Sequence, residues 1–183
     1  MPMDDSASAL PTARESTTSL PVAPATTEPP ASLDPEFKKQ LDKVIDGYLG
    51  VQTALSKDSE AEAAASAKTA LGALAKVDMS LVTGQDHADW MKQANELKSL
   101  LEAVANAKGI ESSRAQFALL SEQVATLLTR FGVPSSTRYK AWCPMAFDGR
   151  GAWWIQNTEE INNPYFGETM LRCGEIKEVI GGR

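Results

Sequence analysis

The sequence is poor in the residues that most often carry chemistry: among 183 residues it has two cysteines, Cys143 and Cys173, and one histidine, His87. A zinc-type histidine pair is therefore excluded, and a cysteine nucleophile would have only His87, with Asp86 or Asp89, to serve as its base. There is no nucleophile elbow and no phosphate-binding glycine loop, so no enzyme is expected. Positive charge is also short: 18 Lys and Arg stand against 24 Asp and Glu, a net charge of −6. That leaves no basic stripe to neutralise phosphates, which argues against nucleic acid and against anionic membrane surfaces as partners. No apolar run approaches the ~18–20 residues of a membrane span, so direct membrane insertion is not expected. Met1-Pro2-Met3-Asp4-Asp5 has neither a basic n-region nor an apolar h-region. Taken literally the chain stays in the cytoplasm; taken as a mature or excised piece it belongs to a longer exported protein. Two cysteines suit either redox compartment.

What the sequence does have is helical periodicity. Residues 1–33 are dominated by Ser, Thr, Ala and Pro and read as a disordered linker. The folded unit is expected over 34–183, beginning where Asp34 caps a helix with Pro35 at its first position. Phe37, Leu41, Val44, Ile45, Tyr48 and Leu55 then recur at three- and four-residue steps, predicting a helix to about Ser56 in which Gly47 and Gly50 mark close helix approach. Ser59, three residues before Glu62, opens a second, Ala-rich helix with Leu71, Leu74 and Val77 on a thin face. A third starts near Asp86, turns Trp90, Leu97, Leu101 and Val104 inward, and stops at Gly109. A fourth runs from about Ser112 to Phe131 with Phe117, Leu120, Val124, Leu127 and Leu128 on one side. Four amphipathic helices with short connections predict an all-α, up-down four-helix bundle.

The segment from Arg138 to Ile180 loses the helical period and becomes rich in aromatics, Gly and Pro. Gly151–Ile155 and Glu175–Ile180 read as short strands, a possible small hairpin, and Asn163-Pro164 as the start of a short helix that Gly174 ends. Here lie two sulfur pairs, Cys143-Pro144-Met145 and Met170-Leu171-Arg172-Cys173. On a helix Met170 and Cys173 share a face, and an extended backbone before Pro144 points Cys143 and Met145 the same way. Thiolate and thioether are the ligands that Cu(I) and Ag(I) prefer. From the residues alone three readings stay open: a soft-metal site, a Cys143–Cys173 disulfide, and packed thiols beside packed methionines. His87 and Met91, one turn apart at the head of the third helix, are weaker ligand candidates, since imidazole also suits copper.

Taken together, His87-Ala88-Asp89-Trp90-Met91, Arg114 with Phe117, Leu120 and Ser121, Cys143-Pro144-Met145-Ala146, Trp154, Asn163-Pro164-Tyr165-Phe166-Gly167 and Met170-Leu171-Arg172-Cys173-Gly174 carry a family resemblance. Over about residues 35–180 the chain resembles a small domain of formerly unknown function. That domain is found alone in exported bacterial proteins or at the C-terminus of periplasmic adaptor (membrane fusion) subunits of copper/silver-type resistance-nodulation-division efflux pumps. The resemblance implies a periplasmic, non-catalytic Cu(I)- or Ag(I)-binding domain that holds or transfers metal. Cys143, Met145, Met170 and Cys173 would be its ligands, with His87 and Met91 secondary. Efflux-pump components or a periplasmic metallochaperone would be its partners. The rival expectation is an interaction module of an adaptor, with Cys143–Cys173 as a structural disulfide. The chain departs from the family pattern at Trp154-Ile155-Gln156, where a Trp-Leu-Ser step is usual, and it lacks the lipoyl, hairpin and barrel domains of a full adaptor.

Overall fold

A computed structural model describes residues 33–132 and 136–181. The expected linker, apart from Leu33, lies outside the described residues; Leu33 itself is buried among the core side chains. Four long helices follow: α1 (Pro35–Ser56), α2 (Glu60–Leu74), α3 (Gly84–Asn106) and α4 (Ile110–Phe131). Asp34 caps α1 by accepting from Glu36 N, and Ser59 caps α2 by accepting from Glu62 N, as the sequence signals predict. α1 packs on α2, α2 on α3 and α3 on α4, and α1 also meets α4.

The inward stripes of α1, α3 and α4 are those the periodicity predicts. Phe37, Trp90 and Phe131 meet edge to face where these helices converge, and Tyr48 stacks on Phe117. On α2 the buried face is instead Ala63, Ala67 and Ala70, while Leu71 and Leu74 are only half-buried. The cause is the closeness of α1: a Cβ on Gly47 would fall 2.6 Å from Ala70 Cβ, and one on Gly50 would fall 2.9 Å from Ser66 Oγ. At that separation only small residues, alanine and serine opposite glycine, fit between the two backbones.

The C-terminal segment forms a three-stranded antiparallel sheet of β1 (Arg138–Cys143), β2 (Ala152–Gln156) and β3 (Glu175–Ile180), in the order β2-β1-β3. This corrects the all-α expectation, which had foreseen β2 and β3 but not the strand between them. The anticipated helix after Asn163 is a single 3-10 turn, Gly167–Met170. Its cap is present, since Asn163 Oδ1 accepts from Tyr165 N and Phe166 N, but Gly167 at φ +56° breaks the helical path.

β2 is an edge strand whose outer backbone groups are closed off by two tyrosines. Ile155 N donates to Tyr48 Oη at 2.9 Å, and Tyr165 Oη donates to Trp153 O. Burial pushes both phenols above their ordinary range, so they stay neutral and serve only as hydrogen-bonding groups. The Tyr48 bond fastens the sheet to α1, and Tyr48 Oη also lies 2.9 Å from Ser121 Oγ on α4; together the two tyrosines satisfy an edge that would otherwise be costly to bury.

Candidate functional site

Cys143 is the last residue of β1, paired across the ladder with Ala152, and is fully buried. Cys173 stands in the loop before β3 and is half-buried. Their Sγ atoms lie 3.5 Å apart as free thiols, so two residues thirty positions apart form one dithiol. Burial, and then the thiol of Cys143 beside it, push the Cys173 thiol above its ordinary value.

The backbone around Cys173 is tightly held. Asn163 is completely buried and donates from Nδ2 to Cys173 O at 2.7 Å, while Asn163 N donates to Leu171 O at 2.8 Å. Cys173 N donates to Met170 O at 3.0 Å, closing a turn between the two sulfur residues. Gly174 follows at φ +132°, where a Cβ would meet the Trp154 ring at 2.8 Å and Trp142 O at 3.0 Å. Glycine is therefore what lets the loop lie on the sheet and bring Cys173 down to Cys143.

The other proposed ligands are placed differently. Pro144 ends the strand, and Met145 takes a helical backbone (φ −90°, ψ −12°) rather than continuing the extended alternation. Its side chain is 54% exposed, so it does not share the buried side on which Cys143 lies. Met170 ends the 3-10 turn and is half-buried beside the Cys173 loop. His87 and Met91 are on α3, a different element from either cysteine. His87 Nδ1 is 3.2 Å from Met79 O, which requires the proton on Nδ1, and Met91 is exposed. Among the described residues no group of three or more His, Cys, Asp or Glu is gathered to hold an ion.

Sequence reasoning did not identify the supports of this site. Gln156 is buried and fully used: Oε1 accepts from Trp154 Nε1 and Asn162 N, and Nε2 donates to Thr158 O and Glu160 O. It shapes the loop that leads into Asn163. Arg114, buried on α4, donates to Pro164 O at 2.9 Å and pairs with Asp58, whose other oxygen accepts from Glu168 N at 3.0 Å. These bonds tie the loop to the helices from the opposite side. The Asn-Pro signal marked Asn163 as a cap but not its bond to Cys173 O; the glutamine and the ion pair carry no local signature.

The fold and site define a mostly helical domain that presents a supported dithiol through a small antiparallel sheet. The chain belongs to the family described as Protein of unknown function (DUF3347), which matches residues 44–136. The match spans most of the helical part and ends before β1, so both cysteines lie beyond it. No curated protein and no solved structure matches the chain. No helix among the described residues is long and apolar enough to cross a membrane.

Proposed function

We propose that this domain is a non-catalytic soft-metal-binding module that holds Cu(I) or Ag(I) at Cys143 and Cys173 and passes it on. The observation that carries this reading is the 3.5 Å approach of two free thiols from separate elements. The donor set suits the cargo: among the described residues no carboxylate or imidazole cluster accompanies the sulfurs, so calcium and magnesium are disfavoured, and two thiols fall short of the four ligands of a structural zinc site while sufficing for a soft monovalent ion. Met170 is the better-placed thioether for a third ligand, since it shares the Cys173 turn and is partly buried. A half-exposed Cys173 gives an entry by which a partner's ligands could replace those of the domain one at a time. The helices, packing in sequential order, support reading this scaffold as an up-down bundle. A periplasmic setting and efflux-pump or metallochaperone partners follow from the family resemblance.

Titration of the phosphine-reduced protein with Cu(I) against a chromophoric chelator tests the reading. One equivalent should bind, and Cys143→Ser or Cys173→Ser should abolish tight binding. The same 3.5 Å contact supports a second reading, in which the pair oxidises to a structural disulfide with a bond of about 2.05 Å and the domain serves as an interaction module. A protein isolated fully oxidised, and unable to bind Cu(I) when reduced, would select that alternative.

A further inference from the structure

The distance between the two sulfurs limits the shape of whatever bridges them. With metal–sulfur bonds of about 2.3 Å, a linear two-coordinate centre needs its sulfurs ~4.6 Å apart, whereas a tetrahedral angle, or one narrowed by a lone pair, needs roughly 3.5–3.8 Å. The pair stands at 3.5 Å, the bite of a bent centre. The backbone beneath both sulfurs is held in place. Cys143 is fixed within the β1–β2 ladder, and Cys173 is held by Asn163 and by its own turn to Met170 O. Gly174 rests against the Trp154 ring and Trp142 O. At 3.5 Å the pair already has the bite of a bent centre, whereas a linear one requires a side-chain rotation or a backbone shift that widens it by about an ångström.

We propose that the Cys143/Cys173 dithiol is a chelating site for a trivalent metalloid of the arsenite or antimonite class, taken up as its neutral hydroxide; this rests on the soft-donor reading of the pair given above. Such a centre is pyramidal, with a lone pair that compresses its bond angles, and needs two sulfurs and one further ligand. The domain supplies the two sulfurs. The third position keeps a hydroxyl directed to the half-exposed Cys173 side, so neither exposed Met145 nor His87 on α3 is required. Two sulfur–metalloid bonds form and two oxygen–metalloid bonds break. Each departing hydroxyl leaves as water with the proton of one thiol, and no electrons are transferred. The absence of a carboxylate or imidazole cluster among the described residues leaves nothing at the site to favour a harder ion.

The test is titration of the full chain, reduced with a phosphine, with phenylarsine oxide and with arsenite, counting the thiols still reactive toward a chromogenic disulfide. The expected result is a fall from two free thiols to none at one equivalent, with unchanged helical circular dichroism. Cys173→Ser, at the half-exposed position, should weaken binding by on the order of 10²-fold or more, because two-point attachment is lost. Cys143→Ser should do the same, and circular dichroism on each variant separates loss of the ligand from loss of the fold. A Cu(I) titration runs in parallel. Cu(I) binding without arsenical binding overturns this inference and leaves the proposed function standing; binding of neither overturns both. Consumption of one thiol per arsenical would also overturn it, since the chelate would not exist.

Discussion

Asn163 Nδ2 donates to the carbonyl oxygen of Cys173 at 2.7 Å, and the asparagine that makes this bond is wholly buried. The same side chain accepts from Tyr165 N and Phe166 N, so one residue fixes both the turn and the thiol loop. Asn163→Ala should leave the amide of Tyr165 and the carbonyl of Cys173 without these partners, each costing about 1–3 kcal/mol. Urea unfolding measures that loss. The informative readout is the thiol: Cys173 should react faster with a chromogenic disulfide under native conditions. Unchanged reactivity would mean that Asn163 supports the fold without positioning the cysteine.

Arg114 and Asp58 make a pH-dependent tie between the helices and the same loop. The Glu168 amide, and then the Arg114 guanidinium, hold the Asp58 carboxyl below its ordinary range against the opposing effect of burial. A folded-state value below the unfolded one, about 3.9, stabilises the fold above that pH and is lost as pH falls through the folded value. Stability of the native chain should therefore drop as pH goes from about 5 towards 3, and Asp58→Asn should flatten that slope. The effect will be modest because the carboxylate is 41% exposed and screened by solvent. An identical slope in the variant would remove Asp58 from the account.

Two glycines of the α1–α2 pair should respond to the same substitution with opposite signs. At Gly47 an added Cβ meets Ala70 Cβ at 2.6 Å and Ala70 Cα at 2.7 Å, and backbone cannot yield cheaply. Gly47→Ala should cost about 1–3 kcal/mol despite the better helix propensity of alanine. At Gly72 nothing lies within 4 Å, so Gly72→Ala should stabilise by roughly 0.4–1 kcal/mol. Thermal melts of both variants decide it; two changes of the same sign would mean that the helices are not packed as closely as described.

These contrasts show which parts of the molecule could be read in advance. A helix declares its buried face by repetition, so Phe37 to Leu55 and Phe117 to Phe131 announced the inward faces of α1 and α4, and Asp34 announced the start of α1; α4 starts at Ile110, behind Gly109 and without a side-chain cap, two residues before the expected Ser112. β1 did not. Its residues Arg138-Tyr139-Lys140-Ala141-Trp142-Cys143 bury an arginine at one end, and a register shift between Lys140 and Ala141 blurs the alternation. For the site, the convergence of Cys143 and Cys173 was legible as paired sulfur motifs. The failure of Met145 to join them was not, because a turn after Pro144 depends on how β1 and β2 connect. Gln156 shows the same limit: its role rests on four partners brought together only by the folded loop.

Leu120 is completely buried on α4. Leu120→Ala should cost about 2–5 kcal/mol, as large-to-small core changes do, read from the urea midpoint at constant slope. Wild-type stability in this variant would mean that the α4 stripe faces a partner instead of the core.

Cu(I) affinity should fall as pH falls, since both thiols must lose protons before they bind the metal. Burial holds the Cys173 thiol above its ordinary value, so proton competition should reach to higher pH than for an exposed cysteine pair. The logarithm of the affinity should rise with pH at a slope of about two until the lower of the two thiols is ionised, and more gently beyond. Against this background the methionines can be separated. Met170→Leu keeps the volume and removes the thioether, so binding should weaken with little loss of stability, whereas Met145→Leu, at a side chain 54% exposed, should leave affinity unchanged. Equal losses at both positions would mean that the metal draws Met145 in from solvent, and a four-sulfur site would replace the three-sulfur one.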